Sequence, residues 1–482
     1  MQTERLLTIQ PATEHADVTE MLARFLATAT YDDLPVNVVE DTKLAVLDWF
    51  GSALAGALEP PAQIARTVVR SLGASDDATV FPEGRSSAAG AALANGVASH
   101  ILEFDDVHKG STLHAAAPIL PAAFAVAERE RAGGTALLLA AALGYEAAFR
   151  IGEAVNPSHY YYWHPTGTAA TFGAAAAAGS LLGLDAARMR DALGSAGTQA
   201  AGLWEFNADG AMSKHLHPGK AAMNGILAAD LARHGFTGAT RILEGERGFF
   251  RATSTGADAS RITDGLGTFW KISENCYKLH SCCGHTHTAI DTALDLRQQR
   301  GWQNGEALRD VAAIDIALYG PGYEIVRRMN PRTPYQAKFS VAYCVAAALA
   351  EGRVGLEQFA PERFGPDGVT EPTIASLLAR TQVAVDPALT ARYPERWPAR
   401  VTLRLADGTT ISGEADYPRG NPENPVPFAT LEAKFRDLVT SRYDAVLADR
   451  VVAAVRDLDR CPDVRALMRD LGIVRQPGGG ER

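Results

Sequence analysis

Small residues recur at helical spacing through the first half of the chain. The run TAATFGAAAAAGSLLGL, residues 168–184, is the densest example, and similar Ala- and Gly-rich stretches begin near residues 86, 115, 134, 186 and 218. Alanine costs no side-chain entropy in a helix and lets neighbouring helices approach closely. Because almost no alternation of period two interrupts these stretches before about residue 255, the pattern predicts an all-helical bundle. The run at 168–184 is too short to span a membrane, so we interpret it as a buried helix.

The pattern changes after about residue 270. The segments 311–320 and 381–386 predict strands, and 399–417 alternates around an Asp407-Gly408 turn, as β-hairpins do. We therefore predict a mainly α fold that also contains a smaller α+β domain. We expect the first part of the helical domain at 1–270, the α+β domain at 271–416, helices that pack back on the first domain at 417–475, and a loose tail at 476–482.

The charge and the cysteines exclude some classes of protein. The 482 residues carry a net charge of −10, so the chain lacks the basic surface of a nucleic-acid-binding protein. The cysteine count of five is odd and Cys282 and Cys283 are adjacent, which argues against a disulfide framework and favours a reducing compartment. The N-terminal sequence has acidic residues and no apolar segment of a secretory signal. We therefore expect a cytoplasmic protein without nucleic-acid or membrane partners.

Four stretches concentrate His, Lys and acidic side chains within otherwise apolar sequence. They are HILEFDDVHKGSTLHAAAP (100–118), SHYYYWHPTGT (158–168), DGAMSKHLHPGKAAMNG (209–225) and ENCYKLHSCCGHTHTAID (274–291). Buried charges are costly unless they are paired or used in chemistry. Each stretch also has a structural interpretation, such as helix capping by Asp105 and Asp106. We favour a functional interpretation because all four stretches lie at loop–helix junctions.

The stretch at 274–291 resembles a metal site in its composition. Its spacings are C-x5-C-C and H-x-H, whereas structural zinc sites usually show paired C-x2–4-C or H-x3–5-H spacing. The chain also contains no nucleophile elbow, Walker A loop or dinucleotide fingerprint in a strand–helix context. We therefore expect no bound metal and no cofactor. A non-catalytic helical protein that binds metal or a partner is the alternative from another class.

Several segments taken together resemble the MmgE/PrpD family, which includes 2-methylcitrate dehydratase, cis-aconitate decarboxylase and iminodisuccinate epimerase. They include VLDWFGSALAG (46–56), WHPTGTAATFGAAAAAGSLLGL (163–184), SKHLHPGKAAMNGILAADLARHGFTG (213–238), YKLHSCCGHTHTAID (277–291) and NPRTPYQAKFSVAYCVA (330–346). The resemblance covers most of the chain. It implies a large all-helical domain built from both chain ends plus a smaller α+β lid domain. It also implies a homodimer, no metal or organic cofactor, and a small polycarboxylate substrate.

The resemblance further implies a site in the cleft between the two domains. The residues that we predict to be catalytic are Asp105, His114, His164, Lys214 and Lys278, and those that we predict to bind substrate are Glu103, His108, Thr168, His217, Cys283 and Tyr323. The lysines would hold carboxylates and stabilise the aci-carboxylate that develops beside the reacting carbon. His114 or His164 would move the proton. Thr168 stands at a predicted helix start, where N–H groups can hold a carboxylate.

The predicted site departs from one branch of the family. Relatives of aconitate decarboxylase have Asp at the position of Glu103, Thr at that of Val107 and His at that of Cys283. These departures favour dehydration of a 2-methylcitrate-like hydroxy acid, through proton abstraction next to a carboxylate. Epimerisation of an iminodisuccinate-like substrate and decarboxylation of a cis-aconitate-like acid are the alternatives, because one set of residues serves all three reactions.

Overall fold

The computed structural model describes residues 17–302 and 305–473, and the tail predicted at 476–482 lies outside them. Within this part the chain is mostly helical, which confirms the mainly α prediction. The helices whose apolar faces form the larger hydrophobic core are Val18–Thr28, Val36–Gly56, Pro60–Ser71, Ala88–His100, Ala116–Glu130, Gly134–Val155, Ala169–Leu181, Ala186–Gly197, Ser213–Arg233, Phe249–Thr253, Ser260–Thr263, Phe428–Thr440, Ala445–Arg456 and Val464–Leu471.

Glycines allow the central helices of this larger core to touch. A Cβ atom added to Gly96 would lie 2.7 Å from the Cα of Gly219, and one added to Gly225 would lie 2.5 Å from the Cβ of Ala174. Carbon atoms attract best at about 3.5–4.0 Å, so a larger residue would force these helices apart. The close packing places Lys214, near the start of its helix, against the loop that follows His100.

Both ends of the described chain contribute to the larger core. Its buried residues run from Val18 to Ile272 and resume at Phe435, on the helix Phe428–Thr440 that packs against Val36–Gly56. The sequence predicts that the C-terminal helices pack back in this way because they are amphipathic. The domain boundaries at 270 and 416 stay predictions, since a shared hydrophobic core does not by itself define a domain.

A smaller hydrophobic core surrounds a four-stranded sheet. The strand order is Thr410–Ala415, Ala399–Leu405, Val311–Leu318 and Thr381–Val385, and only the last pair is parallel. These strands confirm the predicted ones, including the hairpin turn, where Gly408 has a φ of +84°. The helices of this part of the chain are His287–Gln299, Gly320–Val326, Pro334–Lys338, Val341–Glu351, Pro372–Leu378 and Pro387–Thr390.

One predicted helix is divided in two. The sequence predicts a helix over 334–351, but the structure breaks it after Lys338, and Ser340 caps the second helix by accepting a hydrogen bond from the Tyr343 N–H at 3.2 Å. The capping hydroxyl competes with continuation of the first helix. As a result Phe339 leaves the helical path and reaches the cavity described below.

Short elements complete the described chain. The strand Val107–His108 pairs with Asn275–Cys276 and so joins two of the four chemically interesting stretches. The other two-residue pairs are Ala78–Thr79 with Arg85–Ser86 and Phe364–Gly365 with Gly368–Val369. The remaining helical turns are Tyr31–Asp33, Ser158–Tyr161, Phe206–Asp209, Lys271–Glu274, Gly284–Thr286, Gly305–Asp310, Leu356–Phe359, Pro361–Arg363 and Leu458–Arg460.

Among the described helices, Gly134–Val155 has the length and apolar composition to cross a membrane. In the structure 83% of its most apolar window is buried within the protein, as in the core helix of a folded domain.

An apolar surface patch that includes Ile64, Val68, Met212 and Leu216 lies elsewhere on the larger core. The predicted homodimer stays a prediction.

Candidate active site

A cavity of about 340 Å³ is lined by residues from segments of both cores. Its floor is charged and its walls are mostly aromatic. The lining residues are Glu103, Val107, Thr112, His114, Tyr160, Tyr161, Trp204, Asn207, Lys214, Lys278, Cys283, Gly284, His285, Ile325, Phe339 and Trp397. The predicted residues that the structure brings together on this surface are Glu103, His114, Lys214, Lys278 and Cys283.

Glu103 lies between two buried lysines. Its carboxylate forms an ion pair with Lys214 Nζ, and its Oε2 lies 3.8 Å from Lys278 Nζ. Burial alone would raise the pKa of Glu103, but the two lysines outweigh it and hold the pKa well below its ordinary value. Burial likewise opposes the charge on Lys278, yet Glu103 and Asp105 raise its pKa. The floor therefore carries two ammonium groups and one carboxylate.

The backbone that presents Glu103 is strained and held from three sides. Glu103 has a φ of +57°, a left-handed conformation that is uncommon for a residue other than glycine. Three lysines from different segments bind three successive carbonyls of this turn, at distances of 2.7 Å for Lys338 Nζ to Leu102 O, 3.2 Å for Lys278 Nζ to Glu103 O and 2.7 Å for Lys434 Nζ to Phe104 O. These contacts fix the direction in which the Glu103 side chain points.

Lys434 gives the first testable prediction. Its Nζ also binds Asp48 Oδ1 at 2.6 Å, and both side chains are buried. Replacing Lys434 with Met should lower the free energy of unfolding by about 3–5 kcal/mol, because it leaves a buried carboxylate without its partner. Thermal and chemical unfolding would measure the loss. A Lys434→Met/Asp48→Asn double variant should recover part of it; equal loss in both variants would contradict a charge-pairing role.

His114 presents an unprotonated nitrogen to the cavity. Its Nδ1 lies 2.6 Å from the backbone carbonyl of Asp106, and a carbonyl only accepts, so Nδ1 carries the hydrogen. Nε2 is then the basic atom, on a side chain that is 13% exposed at the cavity surface. Burial lowers the pKa of His114 to about 3, so the imidazole is neutral at pH 7. This arrangement suits a group that accepts a proton from a ligand.

Other predicted residues lie behind the cavity surface. Asp105 is buried, and its Oδ2 accepts a hydrogen bond from His100 Nδ1 at 2.6 Å and lies 3.6 Å from His114 Nδ1. His164 is also buried, with Nδ1 3.0 Å from Nδ1 of His217 and its ring centroid 6.4 Å from that of His114. Asp105 and His100 can therefore orient His114, while His164 and His217 form a layer beneath it.

Three predicted residues lie away from the described lining. His108 bonds Ser111 Oγ at 2.8 Å and stacks on Phe149. Thr168 is fully buried, and its hydroxyl contacts His159 Nε2 at 2.8 Å. Both side chains bond to neighbours within the fold, and neither is among the described lining residues.

Tyr323 is the third of these residues. It packs against the smaller core, with its ring centroid 5.9 Å from the guanidinium carbon of Arg327. Tyr319, one helical turn earlier, lies nearer to the cavity, since its hydroxyl is 2.5 Å from Nδ1 of the lining residue His285. The role predicted for a tyrosine in this segment therefore fits Tyr319 better than Tyr323.

Sequence reasoning missed the aromatic walls. Their members include Tyr160, Trp204, Phe339 and Trp397, which come from four separate segments. Two signals were available, since the YYY run at 160–162 interrupts otherwise small residues and Phe339 lies in one of the family-like segments. Trp204 and Trp397 lie in loops where no spacing rule applies, so only the fold reveals that they share a cavity.

The described residues contain two groups of three possible metal ligands with ligand atoms within 4.8 Å of one another. They are His100, His114 and His164, and His108, Glu153 and Glu274. In the second group Lys271 Nζ already lies 2.8 Å from a Glu274 oxygen and 3.0 Å from a Glu153 oxygen, and so supplies the positive charge. The first group consists of three histidines and includes His114, the candidate proton-transfer residue.

The Cys/His stretch at 274–291 does not converge on one point. Its side chains bind different neighbours: His280 Nε2 lies 3.0 Å from Asp291 Oδ1, and Cys282 Sγ lies 3.1 Å from Thr286 Oγ1. Cys283 alone among its cysteines lines the cavity, where burial raises its pKa to about 12 and keeps the thiol protonated. In the described structure this stretch therefore contributes Lys278, Cys283, Gly284 and His285 to the cavity.

The buried histidines predict acid-sensitive folding. Burial is the main cause of a lowered pKa, to about 3 or 4, in His114, His159, His215, His217 and His285. As pH falls through about 6.5 the unfolded chain gains a proton at each of them and the folded chain does not. Stability should therefore fall between pH 6.5 and about 4, by about 1.4 kcal/mol per histidine per pH unit.

Thermal unfolding between pH 8 and 4.5, at constant ionic strength, measures this effect. Asp106 acts in the opposite sense, because burial raises its pKa to about 7 and its contribution grows as pH falls below that value. A His159→Gln variant removes one of these histidines. The loss of stability with falling pH should therefore be smaller by about 1.4 kcal/mol per pH unit. An unfolding temperature that stays constant from pH 6.5 to 5 would contradict the prediction.

Comparisons with known proteins cover most of the chain. The model of the MmgE/PrpD N-terminal domain matches residues 20–262, and that of the MmgE/PrpD C-terminal domain matches residues 280–460.

Three similar proteins carry the name cis-aconitate decarboxylase or cis-aconitate decarboxylase-like protein. The cis-aconitate decarboxylase-like protein oryM of Aspergillus oryzae is 29% identical over 96% of this chain and 98% of its own length. The cis-aconitate decarboxylase of Aspergillus terreus is 28% identical, over 95% and 97%. That of Homo sapiens is 26% identical, over 93% of both chains. By both domain models, the chain belongs to the MmgE/PrpD family.

Proposed function

We propose that this protein is a lyase that removes carbon dioxide from a small unsaturated polycarboxylate of the cis-aconitate type. The observation that carries the proposal is the cavity floor, where Lys214 and Lys278 flank Glu103, and where His114, whose Nδ1 contacts the Asp106 carbonyl, lines the same space. The names of three relatives, similar over nearly the whole chain, favour decarboxylation over the dehydration expected from sequence.

The proposed reaction follows from these groups. The lysines bind the carboxylates of the substrate, and the bond between carbon and the departing carboxylate breaks. The electron pair stays on carbon and spreads into a neighbouring carboxylate, where an ammonium group stabilises the charge. The negative substrate raises the pKa of His114 in the complex, so the imidazole takes a proton from solvent and then delivers it to carbon.

Dehydration of a 2-methylcitrate-like hydroxy acid is the second candidate. Glu103, Val107 and Cys283 all line the cavity, and they are the positions where decarboxylase-like members are expected to differ. In dehydration the neutral His114 would remove the proton beside the carboxylate directly, and a second acid would protonate the departing hydroxyl so that it leaves as water. Epimerisation would need the same first step followed by return of the proton to the other face.

A substrate panel separates these reactions. The protein would be incubated in deuterium oxide with cis-aconitate, an unsaturated dicarboxylate that carries an alkyl arm, 2-methylcitrate, citrate and iminodisuccinate, and the products followed by NMR. We expect loss of carbon dioxide from an unsaturated acid, with one deuterium placed on carbon. Dehydration of 2-methylcitrate would favour the second candidate, and no change in any compound would contradict the proposed lyase.

Metal removal tests the proposed cofactor-independent reaction. Treatment with a chelator followed by dialysis should leave the turnover rate unchanged, because both lysines and His114 are side chains of the protein. Elemental analysis of the untreated protein is the control. One zinc or iron per chain, together with loss of activity after chelation, would contradict this mechanism and assign the three-histidine group a metal.

A further inference from the structure

The cavity floor provides few positive charges for a substrate with three carboxylates. Lys214 and Lys278 share their charge with Glu103, and the described lining contains no arginine. The lining histidines, His114 and His285, each already have a protein partner at Nδ1, the Asp106 carbonyl at 2.6 Å and the Tyr319 hydroxyl at 2.5 Å, and neither is a fixed positive charge. Two ammonium groups can therefore meet two carboxylates, and a third carboxylate would have neutral neighbours.

Those neighbours are mostly apolar and lie toward the mouth of the cavity. Lys214 and Lys278 are 4% and 3% exposed, whereas Ile325 and Tyr161 on the same lining are 37% and 77% exposed. Phe339 contacts the charged floor, since its ring centroid lies 5.8 Å from Lys214 Nζ. The apolar surface therefore begins beside the ammonium groups and continues outward.

Aromatic pairs extend this surface on both sides of the mouth. Tyr160 and Trp204 have ring centroids 4.9 Å apart on the side of the larger core, and His285 stacks on Trp397 at 4.6 Å on the other side. The polar lining groups other than the charged residues and histidines include Thr112, Asn207 and the tyrosine hydroxyls, and none of them is a cationic side chain. A carboxylate placed among these groups loses its hydration without gaining a cationic partner, which is unfavourable.

We infer that the substrate is a dicarboxylate whose third arm is apolar, an alkyl or aryl group that lies along the aromatic walls. This inference rests on the proposed function, since it assigns the two lysines to two carboxylates of the substrate. The charged end lies on the floor beside His114, and the apolar arm points toward Ile325 and Tyr161. A cavity of about 340 Å³ lies within the range of about 300–1,000 Å³ found for drug-sized ligands.

Two unreactive succinates test the inference by direct binding. 2-Benzylsuccinate and tricarballylate share a succinate core, and differ in carrying a benzyl or a carboxymethyl arm. Calorimetric titration of the purified protein with each, and with methylsuccinate as the reference, measures the preference without turnover. We expect 2-benzylsuccinate to bind at least about tenfold more tightly than tricarballylate, a difference of about 1.4 kcal/mol. Equal or tighter binding of tricarballylate would overturn the inference.

Variants of residues in the aromatic walls test whether these walls cause the preference for 2-benzylsuccinate. Phe339→Ala should lower the affinity for 2-benzylsuccinate much more than the affinity for methylsuccinate, so that most of the benzyl advantage is lost. Ile325→Asn changes a partly exposed residue and provides a second test if Phe339→Ala does not fold. A benzyl preference that survives in both folded variants would overturn the assignment to these walls. Failure of all three succinates to bind would instead contradict the proposed function, because it would remove the carboxylate anchor itself.

Discussion

Replacing His114 with Asn should lower kcat by about 10²–10⁴-fold, the range typical for loss of a general acid or base. Asparagine can still donate a hydrogen bond to the Asp106 carbonyl, which His114 Nδ1 contacts at 2.6 Å, but it has no basic atom at the position of Nε2. The fold should therefore persist while proton transfer fails. Steady-state kinetics with the best substrate of the panel, together with thermal unfolding, would measure the two effects separately.

The control for His114 is chemical rescue. A His114→Ala variant leaves space beside a cavity of about 340 Å³, so added imidazole should restore part of the activity in proportion to its concentration. His234→Asn, at an exposed position at the end of the helix Ser213–Arg233, should behave like the unaltered protein. Activity within tenfold of normal in His114→Asn would contradict the proposed proton-transfer role.

Replacing Lys214 with Met should lower kcat/KM by about 10²–10³-fold, as removal of one group that stabilises developing negative charge does. The loss has two causes. One ammonium partner of the substrate disappears, and Lys278 is left alone with Glu103, so the floor becomes neutral overall. Both kcat and the affinity for substrate should fall, because the same ammonium group binds the carboxylate and stabilises the charged intermediate.

Lys220 provides a matched control on the same helix. Its Nζ lies 2.8 Å from the carbonyl of Ala201 and 3.3 Å from that of Gln199, and it is not among the described lining residues. Lys220→Met should therefore keep kcat/KM within about threefold of normal. A similar loss in Lys214→Met and Lys220→Met would show that the helix, and not the ammonium group on the cavity floor, determines activity.

Much of the fold could be predicted from periodicity. The small-residue helices, the strands after residue 310 and the Asp407-Gly408 hairpin follow from local patterns, because helices and strands have different repeats of apolar residues. The break at Ser340 was missed, since a helical pattern continues through it and only the capping contact with Tyr343 interrupts the chain. The domain boundaries at 270 and 416 stay predictions.

The structure brings part of the predicted set of site residues together, and their roles stay predictions. Glu103, His114, Lys214, Lys278 and Cys283 share one cavity, as the family resemblance led us to expect. The sequence could not show that His114 lines the cavity while His164 lies buried behind it. Both are histidines at loop–helix junctions, and only their surroundings in the fold differ. Tyr319 could not be distinguished from Tyr323 for the same reason, since one helical turn separates them and the pocket lies on one side.

The sequence by itself determined the type of the long helices and of the strands in the four-stranded sheet, the charged stretches and, through resemblance, the family. Those properties depend on side-chain pattern and spacing along the chain. The tertiary structure alone decided how many charges the site holds and what surrounds them. Lys214, Lys278 and Glu103 stand far apart in sequence, and burial fixes their pairing and lowers the pKa of the histidines beside them. Burial and pairing arise between segments and not within them, so they become visible only when the cores have formed.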